Sequence, residues 1–206
     1  MPNPFPTTTQ YASPDLIAAI AYAGHNPGND PRWHESGAPD QDDYTRWCGH
    51  LCGIACLHMA LTHRDGHAPT LFELRDGALR YGAYTEQDGK IRGLIYAPAV
   101  TYAQEVHGLD AQAHPNLPMN RLLELLDTGH QVIASVHKEI RRPERPAPGQ
   151  GGHLVLVTGH SDGTVAFRNP SGHTEAARDA RLPATTFAMF YAGRGIGIAA
   201  STPHAG

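Results

Sequence analysis

Apolar positions recur at helical spacing over much of the first 130 residues. A Ser-Pro-Asp start at 13–15 predicts a short helix over 16–23, and residues 54–61 are apolar almost all round, which is typical of a helix through the centre of a core. Residues 25–46 are rich in Gly, Pro, Asp and His and are predicted to be a long loop, a feature that is usually functional inside a compact domain. Further helices are predicted over 69–81, 97–107 and 117–127, with a short strand at 109–113.

The pattern changes to strands after residue 130. Apolar runs predict strands over 131–137, 153–158 and 164–168, and the Ser-Asp-Gly turn at 161–163 joins the last two as a hairpin. A helix at 184–190 and a strand at 195–200 follow. Helices first and antiparallel strands afterwards predict one α+β domain over 1–206. Its expected parts are an arm, short helix and loop over 1–46, a helical part over 47–130 and an antiparallel sheet over 131–200.

Composition and charge narrow the possible partners. A chain of 206 residues with 40% hydrophobic and 17% charged residues is typical of one globular domain. The net charge of −4 provides no basic surplus for nucleic acid. No run approaches the ~20 apolar residues of a membrane span, and the N-terminus lacks the pattern of a secretory signal. We therefore expect a cytoplasmic protein that binds neither nucleic acid nor membrane, of undetermined oligomeric state.

The three cysteines, Cys48, Cys52 and Cys56, are spaced by four residues. An odd, local cluster is not a secreted disulfide framework. Spacing of four places the thiols on one helical face, where they are candidate zinc or iron–sulfur ligands together with His50 or His58, although the repeated Cys-x-x-Cys of structural zinc is absent. The alternative without chemistry is that small buried thiols fill a core.

A third interpretation makes Cys52 a nucleophile, because it lies just before the apolar helix, whose dipole lowers the pKa of a thiol there. A thiolate nucleophile needs an imidazole base, and the base needs an acceptor on its other nitrogen. His153 opens a strand after Gly151-Gly152, and Asn169 ends the next strand, so hairpin pairing brings the two together. The alternative is a surface histidine at a strand end and a turn-forming asparagine before Pro170.

These motifs resemble those of papain-like cysteine peptidases, in the branch of the double-glycine peptidases that trim bacteriocin leaders. That branch carries Cys-Gly-x-Ala-Cys-Leu-x-Met, matched at 52–59, Gly-His before an apolar strand and Gly, matched at 152–159, and Asp or Asn before Pro, matched at 169–170. The resemblance covers about residues 45–200. It implies a papain-like fold in which N-terminal helices, with a central helix bearing the nucleophile, pack on a C-terminal antiparallel sheet.

The resemblance also implies that Cys52 is the nucleophile, His153 the base and Asn169 the residue that orients it, with Cys56 structural and neither a metal nor another cofactor required. The family places an oxyanion-hole Gln about six residues before the nucleophile, where this chain has Arg46. The backbone N–H of Cys52 supplies one donor to the oxyanion. Our candidate for the second donor is Gln41, the one Gln of the approach loop. The alternatives are Arg46, Trp47 and His50.

The predicted function is a cysteine-dependent hydrolase that cleaves a peptide or amide bond through an acyl-thioester. The same residues serve acyl or peptidyl transfer to an amine, and a papain-like protein that binds without turnover also fits, because the family Gln is missing. The leader-trimming relatives usually form one domain of a membrane transporter, so bacteriocin leaders are not carried over as substrates.

The segment 138–150 leads into the His153 strand and carries four positive side chains. Arg141 and Arg142 are therefore candidates for binding a substrate carboxylate, because Arg suits bidentate recognition. Gly151 and Gly152 are candidate substrate-binding positions, since small residues beside the base leave room. A solvated Pro-rich loop is the alternative for 138–150.

Overall fold

A computed structural model describes residues 5–200, so the two ends of the predicted domain 1–206 lie outside the described part. The helices are α1 (Ile17–Tyr22), α2 (Gln41–Trp47), α3 (Cys52–Asp65), α4 (Leu71–Arg80), α5 (Tyr96–His107), α6 (Met119–Asp127), α7 (Glu175–Arg178) and α8 (Ala184–Phe190). The strands are β1 (Thr85–Gln87), β2 (Lys90–Arg92), β3 (Ala111–His114), β4 (Gln131–Val136), β5 (His153–Ser161), β6 (Thr164–Arg168), β7 (Asp179–Pro183) and β8 (Tyr191–Ile198).

Six of these strands form one antiparallel sheet in the order β3-β8-β4-β5-β6-β7, and β1 pairs with β2 in a separate hairpin. Strand β3 comes from the part of the chain predicted to be helical, yet it pairs with β8 at the sheet edge. The hairpin of β5 and β6 turns at 161–164 as predicted. The α+β expectation is confirmed, with a helix that begins at Cys52 packed on an antiparallel sheet.

Both faces of the sheet are covered. Helices α3, α4 and α5 share one apolar cluster with the near face, and α6 and α8 share a second cluster with the far face. Every residue of β4 is buried, which explains why its sequence shows a continuous apolar run instead of strand alternation. The sheet is therefore the middle layer, with helices on both of its faces.

Helix α3 lies unusually close to β5. A Cβ at Gly53 would lie 2.8 Å from Leu154 Cδ1 and 3.0 Å from Leu94 Cδ2, so only glycine fits there without movement of its neighbours. The residues of α3 from Gly53 to Leu57 are all buried, in agreement with their apolar sequence. This close approach brings the first residue of α3 beside the first residues of β5.

The structure differs from the sequence prediction over residues 25–46. This stretch contains two 3-10 turns, Pro27–Asn29 and Trp33–Ser36, as well as α2. The side chain of Asp40 caps α2 by accepting from the backbone N–H of Asp43 at 2.8 Å. Short polar elements of this kind lack apolar periodicity. For the same reason, β1, β2, β7 and α7 were not predicted from the sequence.

Candidate active site

Three elements bring the predicted site residues to one end of the sheet. Cys52 is the first residue of α3, after the 3-10 turn Cys48–His50. His153 is the first residue of β5, and Asn169 directly follows β6. Because α3 packs on β5 and β5 pairs with β6, the three residues converge although they lie up to 117 positions apart.

A buried hydrogen-bond network holds the His153 ring. Its Nε2 lies 2.9 Å from Asn169 Oδ1, and the Ser171 hydroxyl lies 3.1 Å from the same nitrogen. The backbone N–H of Ser171 donates to Asn169 Oδ1 at 3.0 Å, which identifies this atom of the amide as the acceptor. His153 Nε2–H therefore donates to Asn169, and Nδ1 of the neutral ring is left as a proton acceptor. Ser171 was not singled out from the sequence.

Cys52 and His153 line the same cavity, of about 170 Å³. Cys52 is partly exposed, whereas Cys48 and Cys56 are fully buried in the core around α3, and all three are free thiols. Residues 5–200 contain no group of three or more His, Cys, Asp or Glu side chains placed to hold a metal ion. The remaining lining residues of the cavity are Gly93, Leu94, Tyr96, Ser135, Gly152, Leu154 and Arg194.

Burial controls the protonation of both central groups. It raises the pKa of the Cys52 thiol, and hydrogen bonds from the backbone N–H groups of Leu154, Gly53 and Cys52 itself offset only part of this effect. A helix dipole lowers the pKa of a thiol at this position, as expected from the sequence, but burial outweighs the dipole. Burial also lowers the pKa of His153 to about 4. At neutral pH the resting pair is thus a thiol beside a neutral imidazole.

The structure places Gln41 away from this cavity. Its side-chain amide donates to the backbone carbonyl of Gly28, and Gln41 is not among the lining residues. The stretch from Gln41 to Cys52 is occupied by α2 and the Cys48–His50 turn, so the predicted approach loop is largely helical here. The predicted oxyanion donor Gln41 therefore does not reach the Cys52 cavity.

The three alternative oxyanion donors, Arg46, Trp47 and His50, also lie outside the Cys52 cavity. Arg46 forms an ion pair with Glu86 of β1, and Trp47 is buried with its ring edge-on to Tyr84. His50 is exposed in the turn before α3. None of the three lines the Cys52 cavity. The backbone N–H of Cys52, at the N-terminus of α3, remains as one candidate donor.

Arg141 and Arg142 do not line the Cys52 cavity either. Arg141 Nε donates to the Lys138 carbonyl at 2.9 Å, and Arg142 pairs with Glu139 while its guanidinium lies 3.8 Å from the centre of the Tyr22 ring. Both arginines line a second cavity, of about 410 Å³, that does not include the thiol. The structure therefore does not bring these two candidates to the Cys52 cavity.

Gly151 and Gly152 form the turn into β5 with φ of +80° and +91°, a conformation that favours glycine. Gly152 lines the cavity, and Gly151 lies behind it against Ser135 and Arg194. Ser135, Arg194 and Tyr96 were not predicted from the sequence as site residues. Ser135 had one available signal, since it is the polar residue inside the apolar run of β4.

The sequence model of the Peptidase_C39 like family matches residues 33–196. The peptidase domain of Streptococcus ComA, a bi-functional ABC transporter involved in quorum sensing, has a TM-score of 0.52 with 17% identity, covering 74% of this chain and 93% of that domain. A C39-like peptidase from Bacillus anthracis has a TM-score of 0.54 with 14% identity, covering 74% and 90%. At these identities the two likenesses show a shared fold.

No curated protein matches the sequence significantly. Within residues 5–200, no helix has both the length and the apolar character needed to cross a membrane.

Proposed function

Because the chain belongs to the Peptidase_C39 like family, we propose that it is a cysteine peptidase in which Cys52 attacks the scissile carbonyl, His153 moves the proton and Asn169 orients His153. The single observation that supports this assignment best is the shared cavity of Cys52 and His153, together with the 2.9 Å contact from His153 Nε2 to Asn169. This contact leaves Nδ1 as the proton acceptor required of a base.

The first half of the reaction forms an acyl-enzyme. His153 Nδ1 takes the proton of the Cys52 thiol as the sulfur bonds to the substrate carbonyl carbon. The carbonyl oxygen becomes an oxyanion and accepts a hydrogen bond from the backbone N–H of Cys52. When the C–N bond breaks, His153 returns the proton to the leaving amine, and the acyl group stays on sulfur as a thioester.

The second half regenerates the thiol. Water attacks the thioester carbonyl while His153 Nδ1 takes its proton, and collapse of the intermediate breaks the C–S bond and releases a carboxylic acid. The proton on His153 returns to the Cys52 sulfur. Throughout, Asn169 Oδ1 accepts from Nε2–H and stabilises the transient imidazolium, and Ser171 fixes Oδ1 through its backbone N–H.

The test is cleavage of a mixed peptide library followed by mass spectrometry. We expect the wild-type protein to release peptide products, and Cys52→Ala and His153→Ala each to reduce the rate by at least about 10². Exposed Gln112→Ala on β3 is the matched surface control and should retain the wild-type rate. Undiminished cleavage by Cys52→Ala would refute the assignment of the nucleophile.

A further inference from the structure

We infer that the cavity beside Cys52 binds a carboxylate of the substrate, held by the guanidinium of Arg194 together with the hydroxyls of Tyr96 and Ser135. This inference deepens the proposed function and rests on Cys52 as the attacking group. It assigns a substrate class, namely peptides with an acidic side chain or a free carboxyl terminus close to the scissile bond.

The polar groups converge although they come from three separate elements. A Cβ at Gly151 would lie 3.1 Å from Arg194 Nη2 and 3.3 Å from Ser135 Oγ, so the guanidinium and this hydroxyl both approach the turn before His153. Burial raises the pKa of the Tyr96 hydroxyl at the start of α5, and Ser135 and Arg194 beside it lower this pKa in part. All three residues line the cavity that contains the thiol.

An irregularity in the sheet explains how Arg194 reaches this place. Ala134 of β4 pairs with Gly195 of β8, whereas Val136 pairs with Tyr191, so a register shift lies opposite Ser135. A β-bulge redirects a side chain, and bulges are common next to active sites. Here the extra residues of β8 include Arg194, which therefore departs from the regular alternation of the strand.

The charge of the cavity favours an anion. Its lining contains the guanidinium of Arg194 and no Asp or Glu, and the burial that keeps His153 neutral leaves Arg194 as the cation of the lining. Among residues 5–200, no carboxylate lies within 4.0 Å of Arg194, whereas Arg46 and Arg142 each pair with a glutamate. A cation with two neighbouring hydroxyls and, among the described residues, no carboxylate partner is suited to a carboxylate ligand.

Ser135 provides independent support. Its side chain is only 3% exposed and sits on the face of β4 that packs toward α3, opposite Leu154 in the ladder. A hydroxyl at that position costs free energy unless it is hydrogen-bonded, and the neighbouring positions of β4 are the apolar Ile133, Ala134 and Val136. The cavity of about 170 Å³ is smaller than the ~300 Å³ of typical ligand pockets, which fits one small group.

The experiment measures alkylation of Cys52 by matched reagents that need no turnover. Iodoacetyl-glycine, iodoacetyl-β-alanine and iodoacetyl-γ-aminobutyrate hold a carboxylate at increasing distance from the reactive carbon, and their amides are the neutral partners. Rates at Cys52 are read by mass spectrometry, and each acid-to-amide ratio is divided by the same ratio on free glutathione. For at least one spacer we expect this corrected acid-to-amide ratio to be about ten or more in the wild-type protein.

Variants assign the effect to the guanidinium. Arg194→Ala should return the ratio to about one, Arg194→Glu should bring it below one, and Arg194→Lys should retain part of it. Arg80→Ala, which changes another exposed arginine without a described ion pair at the end of α4, should keep the wild-type ratio. A ratio of one for every spacer in wild-type protein would overturn the carboxylate inference while leaving the peptidase proposal intact.

Peptides identify the source of the carboxylate. One series scans Glu through a peptide with an amidated terminus, and the other has neutral side chains with a free carboxyl terminus. Preference for either series in wild-type protein, lost in Arg194→Ala, supports the inference and names the source. Equal cleavage of both series and of a fully neutral peptide contradicts it. Absence of all labelling at Cys52 contradicts the proposed function itself, so the two failures are distinguishable.

Discussion

At the scale of single residues, exposure separates Cys52 from its two neighbours. Cys48 and Cys56 have no exposed surface, and burial raises the pKa of each. Cys52 is partly exposed and faces a cavity that contains a base. The three equally spaced thiols therefore differ in burial: Cys52 is accessible, whereas Cys48 and Cys56 belong to the core.

We expect iodoacetamide to modify Cys52 and to leave Cys48 and Cys56 untouched in the folded protein. Because burial raises the pKa of Cys52, the rate should increase toward alkaline pH between 7 and 10. Mass mapping of wild type and Cys52→Ala measures both effects. Equal labelling of all three thiols, with circular dichroism showing a folded protein, would contradict this assignment.

His153 should make folding stability depend on pH. Burial lowers its pKa to about 4 from 6.5, so between those values the unfolded state binds a proton that the folded state does not. Stability contributed by this group is therefore intact above pH 6.5 and falls as the pH decreases to 4, by about 3 kcal/mol in total. Urea unfolding at pH 7 and pH 5 checks this, and His153→Gln should show a weaker pH dependence than wild type.

The acid limb of activity tests the same pKa. A neutral imidazole is needed to accept the thiol proton, and the lowered pKa keeps it neutral to about pH 4. We expect kcat/KM to decline with an apparent pKa near 4 instead of near 6.5. A limb at 6.5 would show that the ring is not desolvated in the working protein.

Gln41→Ala should have a small kinetic effect. Loss of an oxyanion donor reduces kcat by about 10²–10³. The Gln41 amide, however, donates to the backbone carbonyl of Gly28 and does not reach the cavity. We expect kcat within about twofold of wild type and a loss of about 1 kcal/mol in unfolding free energy. A kcat loss of 10² without a change in stability would return Gln41 to the oxyanion hole.

At the scale of elements, the contact between α3 and β5 sets the distance between nucleophile and base. Gly53 allows this contact, since its missing side chain would overlap Leu154. Gly53→Ala should force α3 away from β5, cost about 1–3 kcal/mol and reduce kcat more than it raises KM. Gly49→Ala is the matched control, because a Cβ there has its nearest contact 4.0 Å away, at the Tyr11 hydroxyl.

Urea unfolding and steady-state kinetics measure both glycine variants. Wild-type stability and kcat in Gly53→Ala would show that the helix tolerates a methyl group, so that the close contact does not position Cys52. A parallel loss in Gly49→Ala would indicate a general effect of replacing glycine by alanine near the start of α3.

At the scale of the whole molecule, the segment 5–13 crosses from the helical layer to the end of the sheet. Gln10 Nε2 donates to the Cys48 carbonyl at 3.0 Å, and the Gln10 backbone N–H donates to the Pro170 carbonyl at 2.9 Å. One residue thus ties the turn before Cys52 to the turn after Asn169. Arg168 Nε adds a bond to the Phe5 carbonyl at 3.2 Å.

Gln10→Ala should therefore loosen both turns. The Cys48 carbonyl loses its partner in a site where Gln10 is 3% exposed, so we expect a loss of about 1–3 kcal/mol in unfolding free energy. We also expect a lower kcat with little change in KM, because the binding cavity itself is unaltered. Exposed Gln112→Ala controls for loss of an amide, and unchanged kcat in Gln10→Ala would contradict a positioning role.

The sequence by itself determined the elements with strong periodicity and the local motifs. The apolar run after Cys52 predicted α3, and the hairpin turn at 161–163 predicted the pairing that brings His153 to Asn169. Both depend on neighbours within about twenty residues, for which periodicity and turn chemistry are sufficient. The family resemblance followed from those same local motifs.

Only the tertiary structure decided what surrounds the thiol. Tyr96, Ser135 and Arg194 are separated by up to 98 positions and meet through the order of the sheet strands and a register shift, neither of which periodicity encodes. The tertiary structure also determines the protonation states of Cys52 and His153. Packing of distant segments desolvates both groups, which raises the pKa of Cys52 and lowers the pKa of His153. Gln41 and the two arginines at 141 and 142 were directed elsewhere for the same reason, since a side chain binds what the fold places within its reach.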